Sequence, residues 1–218
     1  MIVSRTARGP CRALAVLLLA AAVLTLTACD PKQAGSAAVV GGVRITETRI
    51  NHDAAAVLAA FTATGATAPD NQTLLRTLVD RAIDNELVEA AARKAGITVT
   101  QGQIDKLIND NGGRSALSAN FATRDGLWLP PGQIDELART SLIELALGSA
   151  LAPGGDSTAA GVAVTKFKAR IAADVGVAVS PRYGLWNPVT LLIVGTVNDV
   201  SKPATGAAVL SPSASPAG

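Results

Sequence analysis

Two cysteines, Cys11 and Cys29, and one histidine, His52, are the only thiols and imidazole in 218 residues. Metal binding and nucleophilic catalysis therefore have few side chains to use. The sequence contains no Gly-x-Ser-x-Gly elbow, no phosphate-binding loop ending in Gly-Lys and no His-Glu-x-x-His pair. These are the arrangements that expose a strained serine, cradle a phosphate or hold zinc. His52, without a second ligand or a nucleophile, reads as an exposed side chain near the start of a helix. Asp80, Asp84 and Glu86 could in principle act as paired carboxylates. Their helical spacing beside Arg76 and Arg81 reads instead as surface ion pairs. Asn71-Gln72-Thr73 has the form of a glycosylation acceptor, a triplet that arises often by chance. The sequence thus assigns no catalytic residue, no cofactor and no metal ligand.

Cys29 is the exception, because of what precedes it. Arg5, Arg8 and Arg12 lead into an apolar run from Ala13 to Leu26, which ends in Leu26-Thr27-Ala28-Cys29. A basic start, an apolar stretch and small residues before a cut make a secretory signal peptide. The run is shorter than the ~20 apolar residues a membrane-spanning helix needs. The small residues followed by cysteine resemble a bacterial lipobox. That resemblance implies cleavage between Ala28 and Cys29, an S-diacylglyceryl group on Cys29 and an acylated new amino terminus. Two or three acyl chains hold a protein firmly to a membrane, where one holds it marginally. An uncleaved anchor and an ordinary secretory cut are the competing readings. The expected location is the extracytoplasmic face of the cell membrane, through the lipid anchor.

Removing residues 1–28 leaves 190 of the 218 residues, enough for one domain with its own core. The three leader arginines account for the positive balance. Of 19 basic and 17 acidic residues, 16 and 17 remain, a net charge of −1. Such a balance argues against nucleic acid as a partner. With Cys11 lost and Cys29 acylated, the fold has no disulfide and depends on its apolar core.

Residues 29–36 form a polar tether. Val39-Val40 and Val43-Arg44-Ile45 flank Gly41-Gly42, which fits either a two-residue hairpin turn or one bent strand. Thr46 caps a helix running to about Thr64, with Ile50, Val57, Leu58 and Phe61 apolar. Asp70 caps the next, where Leu75, Val79, Ile83 and Leu87 form a stripe widened by Leu74, Leu78 and Val88. Gly96 ends it. Thr100 and Gln103 have capping-box spacing, and Val99 and Ile104 have staple spacing. Ile104, Leu107 and Ile108 then face a core, and Ser115–Thr123 forms a short helix with Leu117 and Phe121. Pro130-Pro131 opens a helix with Ile134, Leu137, Leu142, Leu145 and Leu151 as core contacts. Ser157 caps the last helix, which carries Val164, Phe167 and Ile171 inward and a solvated basic face of Lys166, Lys168 and Arg170. Val177 and Val179 start a strand, and Leu185-Trp186 a second. Residues 199–218 are rich in Pro, Ala, Ser and Gly and read as a disordered tail.

The stretch Arg76 to Thr100, above all Ala91 to Gly96-Ile97-Thr98-Val99-Thr100 followed by Gln103-Ile104-Asp105, resembles the N-terminal domain of SurA-type folding factors and the related PrsA-type lipoproteins. Val39 to Thr46 resembles that family's opening strand. Ser180-Pro181-Arg182-Tyr183-Gly184-Leu185-Trp186 resembles its closing strand. The resemblance implies a mainly α fold: a SurA N-terminal-like helical domain over residues 37–190, with a small β element from strands at both ends. Many family members insert a parvulin prolyl-isomerase domain before the last helix. Here only Ala152 to Asp156 occupies that place, where a domain needs on the order of 100 residues. The resemblance therefore implies a non-enzymatic chaperone core that binds unfolded or exported polypeptides without ATP. An interaction lipoprotein with one folded partner is the alternative, and a prolyl isomerase the least favoured reading.

Overall fold

The structure, a computed structural model, describes residues 34–195. The leader, the Ala28–Cys29 junction, most of the tether and the 199–218 tail lie outside the described residues. Two strands, β1 (Ser36–Val40) and β2 (Val43–Thr46), precede six helices: α1 (Glu47–Thr64), α2 (Asn71–Ala95), α3 (Gln101–Asp110), α4 (Gly113–Ala122), α5 (Ile134–Leu151) and α6 (Ser157–Val175). A 3-10 turn (Pro131–Gln133) leads into α5. Strands β3 (Val177–Val179), β4 (Leu185–Asn187) and β5 (Leu192–Val194) follow. No described helix is long and apolar enough to cross a membrane.

Gly41-Gly42 makes a hairpin rather than a bent strand. Both glycines have positive φ, 56° and 84°, the backbone that joins twisted antiparallel strands in two residues and that a Cβ disfavours. Val40 then pairs with Val43 and Val39 with Arg44. β3 returns from the far end of the chain to pair antiparallel with β1, placing Val179 opposite Ala38. The sheet order β2-β1-β3 is therefore closed by strands from both ends of the fold, as the resemblance implied. β5 was not foreseen. It pairs with β4 as a separate two-stranded ribbon.

The helix starts follow local chemistry. Thr46 accepts from the Arg49 amide and Asp70 from the Thr73 amide. Thr100 and Gln103 form the full capping box, each side chain accepting from the other's backbone N–H. Thr100→Ala should cost about 1 kcal/mol of stability, read as a lowered urea midpoint. An unchanged midpoint would mean the cap is redundant. At α6 the capping residue is Asp156, not Ser157: its carboxylate accepts from Ala159 N–H at 2.8 Å. An acceptor must sit just outside the first helical residue to reach the amide three residues on, and Ser157 is already helical.

α2 is the axis of the fold. Leu74, Leu78, Val79, Ile83, Leu87 and Val88 are all buried, so burial spreads over a wider arc than one stripe, while Leu75 is half-buried. α1, α5, α6 and the first sheet all pack against this helix. α5 differs most from expectation. Leu145 is 69% exposed and Leu151 lies at the surface. The buried apolar residues of α5 are Ile134, Ala138, Ile143 and Leu147, the first pair and the second on opposite sides of the helix. α5 carries apolar residues on two sides, so composition alone does not say which side is inward.

Candidate functional site

One face of α5 lines three adjoining concavities. At its start, Ile134, Leu137, Ala138 and Ser141 face Leu107 and Ile108 of α3 and Leu117 and Phe121 of α4, around a cleft of about 250 Å³. Leu137 and Ser141 continue into a middle section of about 450 Å³, walled by Thr77, Asp80, Arg81 and Asp84 of α2 and by Leu191 and Leu192. Glu144 leads on to a crevice of about 660 Å³ between α5 and α6, lined by Gly148, Ser149, Ala160 and Gly161. The α5 positions recur at intervals of three and four, which is one side of a helix. Eighteen residues at 1.5 Å each make this strip ~27 Å long. An extended polypeptide would cover it with roughly eight residues.

The strip changes character along its length. Its first part is apolar because α3 and α4 turn Leu107, Leu117 and Phe121 toward α5 without closing over Leu137; all four remain half-buried. Its far part is built from small residues, since α5 and α6 approach closely there. A Cβ added at Gly148 would lie 3.1 Å from the Ala160 methyl. Any larger side chain at either position would separate the two helices.

The middle is held by ion pairs that cross between elements. Lys168 of α6, expected on a solvated basic face, is buried instead. Its ammonium donates to Asp84 Oδ1 at 2.6 Å and Glu144 Oε1 at 2.8 Å. Burial alone would lower its pKa, but the two carboxylates outweigh that and hold it above the ordinary lysine value. Lys166 and Arg170 stay on the outer side of α6. Next along, Glu136 accepts both bonds of Arg49 at 2.9 Å and one from Asn85 at 2.8 Å. Asn85 Oδ1 in turn accepts from Thr140 at 3.2 Å. This network ties α1, α2 and α5 beneath the strip.

Asp80, Asp84 and Glu86 do not pair with Arg76 and Arg81. Arg76 Nε donates to the Tyr183 carbonyl and Arg81 Nη1 to the Trp128 carbonyl. Burial pulls the Arg81 pKa down to about 10, against the pull of Glu136 and Asp53. Asp80 accepts the Ile193 N–H at 2.7 Å, fastening β5 to α2. Burial pushes its carboxyl up to about 6, although Ile193 N–H and Arg76 act the other way. Because that value lies above the ordinary 3.8, the folded chain holds the proton more tightly than the unfolded chain does. Asp80 then costs stability progressively as pH rises from about 4 to about 6. In urea titrations across this range, Asp80→Asn should gain on the wild type as pH rises, with a constant difference above pH 7. Parallel profiles would show that Asp80 titrates normally.

His52 is exposed, 3.6 Å from Asp53. Among the described residues no group of three His, Cys, Asp or Glu side chains could hold a metal. Cys29 and Ala28 lie outside the described residues. The sequence reading missed the partners of Lys168 and the Arg49–Glu136–Asn85 network. Only the placement of an Asn and a Thr at core-facing helical positions signalled the network in advance.

A family model described as the SurA-like N-terminal domain matches residues 4–120, more than half of the chain. The chain belongs to the SurA-like N-terminal domain family. This is a chaperone-like folding-factor family whose N-terminal domain is non-catalytic. No curated protein and no solved structure is a significant match to the chain. Within this SurA-like chain the matched residues supply the β1–β2 hairpin, α1 to α3 and most of α4, and hence much of one wall of the strip. α5, α6 and the closing strands lie past them.

Proposed function

We propose that the chain is a lipid-anchored, extracytoplasmic chaperone-like protein that binds unfolded or newly translocated polypeptide along the α5 strip, without ATP and without catalysis. The observation that carries this reading is the open apolar section, where Leu107, Leu117, Phe121 and Leu137 line a cleft in a member of a chaperone-like family. An extended segment laid there would bury its own apolar side chains, and the groups beyond Leu137 would meet its backbone amides and carbonyls. The Cys29 anchor would keep this surface where exported chains emerge.

The purified protein should suppress aggregation of several unrelated unfolded proteins without ATP. Leu117→Ser combined with Phe121→Ser should remove most of that effect while helical circular dichroism is retained. Tight binding to one native partner with no effect on aggregation would instead establish the interaction-lipoprotein reading. Measurable catalysis in a proline-peptide isomerisation assay would overturn the non-enzymatic reading. Cys29→Ser should release the protein from the membrane, and a variant that stayed bound as before would refute the lipid anchor.

A further inference from the structure

The β4–β5 hairpin turns its two faces to different surroundings. Trp186 and Ile193 are cross-strand partners on the inner face and pack with the core. On the outer face Leu185 pairs with Val194 and Asn187 with Leu192. Leu185 is 70% exposed, Leu192 50% and Val194 41%, and Val189 at the tip is 82% exposed. The tip is organised. Asn187 Oδ1 accepts from the amides of Val189 and Thr190 at 2.9 and 3.2 Å, and Leu191 N–H donates to the Asn187 carbonyl at 2.9 Å. Leu191 has φ +56°, a left-handed backbone unfavourable for a residue with a Cβ, and its side chain is buried. The turn is thus held in an unfavourable conformation that leaves Val189 and Leu192 facing out. No charged residue occurs from Tyr183 to Asn198.

This face lies where the chain enters the fold. The Gly35 carbonyl accepts the Glu47 N–H at 3.0 Å, and the Glu47 carboxylate meets Arg182 Nη1 at 3.0 Å. Two residues on, Gly184 abuts the root of β5, where an added Cβ would come within 2.8 Å of the Val194 carbonyl. Gly35, Arg182 and the Leu185–Val194 pair therefore share one corner. Cys29 is six residues before Gly35, so the chain between them spans at most about 20 Å.

We propose that the outer face of the β4–β5 hairpin rests on the lipid surface that Cys29 anchors, which presupposes the anchor proposed above. A charge-free aliphatic face suits the boundary between headgroups and acyl chains, and exposed aliphatic patches of this kind mark contact surfaces. A tether this short holds that corner against the bilayer. Leu192 also walls the middle of the α5 strip, so hairpin contact opens the strip beside the membrane.

The test uses the full lipidated protein reconstituted in phosphatidylcholine–phosphatidylglycerol vesicles. Val189→Cys carries an environment-sensitive fluorophore, since the mature chain has no cysteine besides the acylated Cys29. Spin-labelled lipid should quench the label at position 189 at least about twofold more than one introduced by Val162→Cys, an exposed position on α6 outside the hairpin. Leu185→Ser with Leu192→Ser should reduce that quenching toward the control. Equal quenching at the two positions, with mass spectrometry confirming the diacylglyceryl group, would overturn hairpin contact and leave the anchor intact. Absence of that group would overturn both. A label protected only by added unfolded polypeptide would assign the face to client binding, and one protected only at high protein density would assign it to a second copy. Either result refutes the lipid contact.

Discussion

Leu87→Ala should lower the unfolding free energy by about 3 kcal/mol, the usual range for a buried leucine truncated in a packed core being about 2–5 kcal/mol. Leu87 is fully buried on α2, the helix against which α1, α5, α6 and the first sheet all pack. Helices cannot close on a hole at such a junction without breaking other contacts, so most of the cavity should persist. A domain of this size has only about 5–15 kcal/mol to lose. Urea unfolding followed by circular dichroism should show a clear drop in midpoint. A change comparable to that of an exposed truncation such as Leu145→Ala would mean that α2 is not the central packing element. Since Leu145 is 69% exposed, its own truncation should be close to neutral in stability.

The second large effect is expected at Lys168. Lys168→Met keeps the aliphatic length of the side chain and removes the charge between Asp84 and Glu144. The two carboxylates, each about a third exposed, would then face one another without a cation. Removing one member of a buried ion pair costs about 3–5 kcal/mol. The partial solvation of these partners screens part of that, leaving about 2 kcal/mol. The combined variant Lys168→Met, Asp84→Asn, Glu144→Gln should recover most of the loss, because no isolated charge is left. If the triple variant were no more stable than the single one, the role of Lys168 would lie in its packing and not in its charge. The same substitution should widen the space between α5 and α6, read as faster amide exchange near Gly148.

How much of this was legible in the sequence depended on distance along the chain. The caps at Thr46, Asp70 and Thr100 were visible because donor and acceptor lie within three residues of each other. The Gly41-Gly42 turn offered two readings, and the left-handed backbone of both glycines, with β2 paired back onto β1, makes it a hairpin. Asp156 was overlooked beside Ser157 because both residue types cap helices and only backbone geometry separates them. α5 was misread for a different reason. Leu142 packs against the core as expected, but Leu145 and Leu151, which looked inward by composition, lie at the surface while Ile143 and Leu147 are fully buried. The helix has apolar residues on both sides, and its rotation is set by what α2 and α6 present to it.

Lys168 departs from its local pattern in the opposite direction, being buried where a surface was expected. A lysine between Phe167 and Ala169 on a helix with other basic residues reads as a solvated face. Its partners are 84 and 24 residues away, a separation no local pattern encodes. The α5 strip has the same origin. Leu107, Phe121 and Leu137 each look like core residues, and they line a cleft only because α3 and α4 stop short of covering α5.

The sequence by itself determined the family resemblance, the mainly helical class, the starts of α1 to α3 and the closing of the sheet by both chain ends. Each is written in contacts a few residues apart or in a motif that can be compared directly. Only the tertiary structure decided which apolar residues stay open along α5, which charges are buried between helices and where the β4–β5 hairpin stands relative to the entering chain. Those outcomes depend on the relative rotation and spacing of whole elements, and that is set by packing the entire core at once.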